Sequence, residues 1–121
     1  GSGLGFVPAL AREMGFRASG LEWSEEYVAI AQQMFSWVTT FQGDVLEFDR
    51  YADYDVIYYY GPFDDEALQR RFEEKVERDA RVGAVILGNR KASQAWRESS
   101  AFEALSDETF MGVVLRKIAT L

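Results

Sequence analysis

At 121 residues, with 48% hydrophobic and 15% aromatic side chains, the chain can build one folded core and lies outside the range of disordered proteins. It has no cysteine and no histidine, which excludes disulfides, thiolate nucleophiles, cysteine-ligated metals and imidazole acid–base chemistry. Thirteen basic residues against twenty acidic ones give a formal net charge of −7, a field that repels phosphates and argues against nucleic-acid binding.

No apolar run approaches a membrane span and no signal-peptide pattern opens the chain, so a soluble cytoplasmic protein without a membrane partner is expected. With no repeat, low-complexity tract or linker, residues 1–121 read as a single domain. Short apolar runs alternate with helical patterns, the signature of an α/β sheet. After Gly1-Ser2-Gly3-Leu4-Gly5, a helix is expected from near Val7, with Pro8 in its first turn, Val7, Leu10 and Met14 on one face, and Gly15 as its stop. Phe16–Trp23 reads as a strand ending at Glu22. Ser24 is the N-cap of a second helix, with Glu25 and Glu26 at its positive end and Tyr27, Ile30, Ala31 and Met34 as the buried stripe.

Trp37–Gln42 is a second strand, closed by Gly43-Asp44. Asp55 opens a third, Val56–Tyr60, which Gly61-Pro62 ends. From Asp64 or Asp65 runs a strongly amphipathic helix, with Leu68, Phe72 and Val76 inside and Arg70, Arg71, Glu73, Glu74, Glu77 and Arg78 outside. Val82–Leu87 suits a strand buried on both faces. A short helix within Ser93–Ser100 and a hairpin, Phe102–Leu105 and Phe110–Ala119 about a turn at Ser106-Asp107-Glu108, complete the pattern.

The chemistry is expected at the carboxyl ends of the strands, where open α/β sheets bind ligands. Glycines allow close backbone approach, and the helix behind them aims free N–H groups at the ligand. Glu22, about twenty residues on, can accept hydrogen bonds from two ribose hydroxyls. Asp44 can face an adenine amino group while the backbone of Val45 meets the ring edge. A short Gly-x-Gly-x-Gly string, a solvated strand-end Glu and a Gly-Asp turn each have an ordinary structural reading; their order is the signal.

In that order the sequence resembles class I S-adenosylmethionine-dependent methyltransferases. Gly1-Ser2-Gly3-Leu4-Gly5 is similar to their motif I, Glu22 to the acidic residue after their second strand, and Gly43-Asp44-Val45 to the acidic position after the third. Asp55–Tyr60 resembles their fourth strand, and the terminal hairpin their antiparallel last two. The resemblance implies a Rossmann-like three-layer sandwich, a mostly parallel sheet with an antiparallel C-terminal hairpin, and S-adenosylmethionine as cofactor. It assigns Gly1, Ser2, Gly3 and Gly5 to the methionine part and Glu22 to the ribose. Trp23 would pack on the adenine, Asp44 and Val45 would read its edge, and Tyr60 would lie near the sulfonium, where cation–π attraction gives a ring a purpose. The bland reading of Tyr58, Tyr59 and Tyr60 is a strand with alternating buried rings.

Methyl transfer needs positioning and water exclusion more than an acid–base residue, so the absence of histidine and cysteine is compatible with it. No catalytic residue is assigned; Asp64 and Asp65 suit helix capping. The family's first, central strand, which precedes the glycine loop, is missing from the pattern. A longer natural chain, a strand donated by a partner in a homo-oligomer, or a tag scar at Gly1-Ser2 would each account for that. The acceptor, small molecule or protein, is not specified. A nicotinamide-dependent oxidoreductase is the enzymatic alternative, although Phe6 stands where the dinucleotide pattern wants its third glycine. A non-catalytic interaction module bearing the charged helix Asp65–Ala80 is the other.

Overall fold

The computed structural model describes residues 1–109 and 112–121, so Phe110 and Met111 of the expected last strand lie outside the described residues. The chain forms two compact units, Gly1–Phe48 and Asp49–Leu121. Parallel and antiparallel strands both occur among helices, as the alternating pattern predicts. Among the described residues no helix is long and apolar enough to cross a membrane.

The first unit contains α1 (Phe6–Glu13), β1 (Ser19–Glu22), α2 (Glu25–Met34) and β2 (Thr39–Gln42). β1 and β2 are parallel, with Glu22 opposite Gln42. Gly5, in the left-handed region at φ 89°, starts α1, and Gly15 at φ 96° follows its end. Ser24 caps α2 by accepting from Tyr27 N–H at 3.2 Å. The buried faces differ from expectation. α1 buries Pro8 and Ala9 while Val7, Leu10 and Met14 are exposed; α2 buries Val28 and Ala31 while Tyr27 and Met34 are exposed. Both strands are shorter than their apolar runs, and Phe16 and Trp37, which extended those runs, are half exposed.

The second unit holds β3 (Val56–Tyr60), α3 (Glu66–Asp79), β4 (Val85–Asn89), β5 (Phe102–Ala104) and β6 (Gly112–Lys117), in sheet order β3-β4-β6-β5. β3 and β4 are parallel; β6 is antiparallel to both β4 and β5, which is the expected terminal hairpin. The short helix expected within Ser93–Ser100 is a 3-10 turn over Ala95–Glu98. β4 starts later than its apolar run, because Gly83 at φ 94° turns the chain and leaves Val82 exposed.

The core of this unit is Tyr59, Phe72, Val76, Ile86 and Leu115, with Tyr59 and Phe72 packed edge to face at 4.9 Å. Asp65 caps α3 by accepting from Leu68 N–H at 2.9 Å. Lys117 closes the other end: its buried Nζ donates to the carbonyls of Arg78 and Ala80 at 2.8 and 2.7 Å, placing a cation where the helix leaves its orphan carbonyls. β3 is an edge strand. Asp55 C=O accepts from Val85 N–H and Gly61 N–H donates to Asn89 C=O. By the alternation of a parallel ladder, Val56, Tyr58 and Tyr60 therefore turn their backbone groups away from β4.

Candidate functional site

The glycine loop, Glu22 and the Gly43 turn come together at the carboxyl ends of β1 and β2. The nitrogens of Gly1 and Ser2 donate to Leu21 C=O at 2.7 and 2.9 Å, laying the loop along the end of β1. Glu22 is 8% exposed, and its carboxylate is a two-way clamp: Oε1 accepts from Gly3 N–H at 2.8 Å and Oε2 from Ser24 N–H at 2.9 Å. One acidic side chain thus orders both the loop and the entry to α2. Its carbonyl also accepts from Gly43 N–H at 2.9 Å, tying in the end of β2.

The glycines have distinct reasons to be there. Gly3 sits at φ 57°, and a Cβ there would meet nothing beyond its chain neighbours within 4 Å among the described residues, so the loop has room on that side. Gly5 combines a left-handed φ with a close approach to Ala31 and Phe35, 3.2 and 3.3 Å from where a Cβ would lie. Gly20 is a packing position under the loop that the sequence reading missed. A Cβ on it would lie 2.6 Å from Ser2 Oγ and 3.3 Å from Pro8, so only glycine lets the loop settle on β1. Ser2 Oγ is buried without a hydrogen-bond partner among the described residues.

Trp23 is 68% exposed and its carbonyl accepts from Gln42 Nε2 at 3.0 Å, so its backbone is held while its indole is exposed. Asp44 is half-buried; its Oδ1 accepts from Leu46 N–H at 2.8 Å, and its carbonyl accepts from the N–H groups of Glu47 and Phe48, which rounds the chain into a turn containing Val45. Of the residues singled out from sequence, Gly1, Ser2, Gly3, Gly5, Glu22, Trp23, Asp44 and Val45 belong to this first unit. Tyr60 belongs to the second. It ends β3 with a half-exposed ring, over which the Arg90 guanidinium sits 5.5 Å from the centroid. Tyr58 is exposed like it and Tyr59 is buried, the alternation the bland reading anticipated.

The second unit also corrects the reading of α3. Glu73 and Glu77, expected outside, are buried. Glu73 accepts from the N–H groups of Ala92 and Ser93, both at 2.7 Å, and from Gln69 Nε2 at 3.1 Å. Gln69 in turn accepts from Phe63 N–H at 3.2 Å. Lys91, its side chain almost fully buried, lies 2.6 Å from Glu77 and 3.6 Å from Glu73. Burial pushes the Glu77 carboxyl above the usual carboxylate range despite the Lys91 ammonium. Burial likewise raises Tyr59, whose hydroxyl has no hydrogen-bond partner among the described residues, and the Glu73 and Glu77 charges push the same way. No cluster of metal-ligating side chains occurs among the described residues.

No family model matches the sequence, and no curated protein matches it. Solved structures do match across nearly the whole chain. A protein of echinomycin biosynthesis, described by the conversion of a disulfide bond into a thioacetal group, is 15% identical with a TM-score of 0.73, over 98% of this chain and 73% of that one. A TehB-like SAM-dependent methyltransferase from Corynebacterium glutamicum is 14% identical with a TM-score of 0.70, over 97% of this chain and 77% of that one. An rRNA methylase from Streptococcus thermophilus is 14% identical with a TM-score of 0.65, over 98% and 84%. The chain therefore has the α/β fold found in SAM-dependent methyltransferases, as the order of its motifs implied.

Proposed function

We propose that this chain is the cofactor-binding domain of an S-adenosylmethionine-dependent methyltransferase and that its first unit holds the cofactor. The Glu22 clamp carries the reading: a buried carboxylate at the end of a parallel strand, bonded to Gly3 N–H and Ser24 N–H. Each carboxylate oxygen has further lone-pair capacity, so Glu22 can order the loop and still accept the ribose hydroxyls.

The residues present fit the group. The open side of Gly3 gives room for the methionine portion along Gly1, Ser2, Gly3 and Gly5. The exposed indole of Trp23 gives the adenine a flat apolar surface. Asp44 and the backbone of Val45 supply polar groups for its edge. When bound, S-adenosylmethionine supplies an activated methyl group; the chain's contribution is to bind, orient and exclude water. No proton transfer is assigned to any side chain.

Titration calorimetry of the folded protein with S-adenosylhomocysteine tests this, with NAD as the comparison. Saturable binding of S-adenosylhomocysteine is expected, weakened by at least about tenfold in Glu22→Ala, a loss of about 1.4 kcal/mol. Binding of NAD alone would favour an oxidoreductase and overturn the proposal. So would affinity unchanged in Glu22→Ala.

A further inference from the structure

The second unit carries a recess of about 350 Å3 that the cofactor reading does not use. It lies beyond the carboxyl ends of β3 and β4, between the segment after Tyr60 and the segment after Asn89, and is lined by Phe63, Asp64, Glu66, Gln69, Arg90 and Ala92. Both rims are fastened to α3 from beneath. Gln69, 3% exposed, holds Phe63 N–H, and Glu73 holds Ala92 and Ser93 N–H while bonding Gln69 itself. The recess thus rests on a buried, continuous hydrogen-bond chain, the kind of support that fixes a binding geometry before the ligand arrives.

Arg90 is its most unusual member. Among the described residues it is the only non-glycine with positive φ, at 53°. An L-residue there is strained, and such strain persists where surrounding structure imposes it. The surroundings are visible: Gly61 N–H donates to Asn89 C=O at 2.9 Å, and a Cβ on Gly61 would lie 2.9 Å from Arg90 Cβ. The Tyr60 ring then holds the guanidinium from one face.

The charges around the recess are opposite and not mutually neutralised. Some exposed ions elsewhere on this unit pair with one another, as in Arg50–Asp53, Arg81–Asp55, Arg97–Glu108 and Arg116–Glu103, and others, such as Arg71 and Glu74, have no ion pair among the described residues. Arg90 and Asp64 have no ion-pair partner among the described residues, although both line the same recess. Glu66, beside Asp64, is engaged by Arg70 at 2.8 Å.

We propose that this recess binds a small zwitterion of amino-acid type, its carboxylate at Arg90, its ammonium at Asp64 and its apolar body against Phe63. A guanidinium fork matches a carboxylate in a way that a lone lysine does not. The recess is open to solvent, with Asp64 and Arg90 both exposed, so a ligand of amino-acid dimensions can reach both charges from outside. The binding stands independently of the cofactor reading; only its use as an acceptor site would rest on that reading.

The test is an amide NMR titration of the whole chain with L-phenylalanine, 3-phenylpropionate and phenethylamine, which share a ring and differ in charge. Saturable shifts at Asp64, Gln69, Arg90 and Ala92 are expected with L-phenylalanine, and about tenfold weaker binding of the two singly charged analogues. Asp64→Asn and Arg90→Gly should each weaken L-phenylalanine by a similar factor. Glycine is chosen because it accepts the left-handed backbone, so loss of binding there reports the missing guanidinium rather than misfolding. Absence of saturable shifts with all three compounds overturns the proposal, as does an analogue binding as tightly as L-phenylalanine. Phenylalanine binding in a protein that ignores S-adenosylhomocysteine would sink the methyltransferase reading and leave the zwitterion site standing.

Discussion

Replacing Glu73 with alanine strips four groups of their partner at once: two backbone N–H groups at 2.7 Å, the Gln69 amide at 3.1 Å and part of the field around Lys91 at 3.6 Å. Glu73 is 0% exposed, so water does not reach these donors without an opening of the structure. Each buried donor left unsatisfied costs about 1–3 kcal/mol, and removing one member of a buried charge pair costs about 3–5 kcal/mol. These overlap rather than add, which places Glu73→Ala at a loss of roughly 4 kcal/mol. Against a domain stability of about 5–15 kcal/mol, that is a large fraction. Glu73→Gln keeps the volume and one acceptor oxygen but turns an NH2 toward one of the two backbone N–H groups, for a loss of about 1–3 kcal/mol. Urea unfolding should show the midpoint falling in that order with the slope unchanged, and hydrogen exchange at Ala92 and Ser93 should accelerate first. A loss below about 1 kcal/mol in Glu73→Ala would mean that the carboxylate is incidental to the fold, and would refute the reasoning.

The Glu77 carboxyl, raised by burial, gives a pH dependence of definite sign. Its stabilising contribution is complete below the unfolded-state carboxylate range and is lost as pH rises through the raised folded value, so stability should fall with pH across that window. Glu77→Gln should remove that part of the slope in unfolding curves taken at several pH values; parallel profiles for the two proteins would contradict it. Gly20→Ala brings a methyl group within 2.6 Å of Ser2 Oγ and so lifts the glycine loop from β1. A stability loss of about 1–3 kcal/mol is expected in a thermal melt. A several-fold loss of S-adenosylhomocysteine affinity should accompany it, and wild-type affinity would show that the loop position does not matter.

The kinds of element and their order were legible because period and punctuation agree. Ser24 and Asp65 cap where expected, Gly61 ends β3, and the last two strands pair as a hairpin. The glycine loop and Glu22 were singled out from spacing, but the bond between them was not foreseen, because nothing in sequence says that Oε1 faces Gly3 N–H. α3 shows why the second network was missed. Gln69, Phe72, Glu73, Val76, Glu77 and Ala80 follow the spacing of one helical face, and all are buried. Reading only the apolar members of that stripe sends the carboxylates outward. Their true partners, the N–H groups after β4 and Lys91, lie far along the chain. Arg90 was invisible for a related reason, since nothing local in the sequence marks its left-handed backbone or its closeness to Gly61, a contact between distant segments.

The β3 edge of the second unit's sheet bears on how the protein behaves as a colloid. Val56-Ile57-Tyr58-Tyr59-Tyr60 has neither proline nor charge, and three of its residues turn their backbone away from β4, without a strand partner on that side among the described residues, and carry exposed side chains. Such an edge invites another chain to dock along it. The molecule's protection against its own kind is then long-range repulsion from a net charge of −7, felt over about 10 Å at 0.1 M salt and less as salt is added. Ionic strength and concentration therefore act on this protein as one variable: salt shortens the distance at which two tyrosine-rich edges begin to see each other.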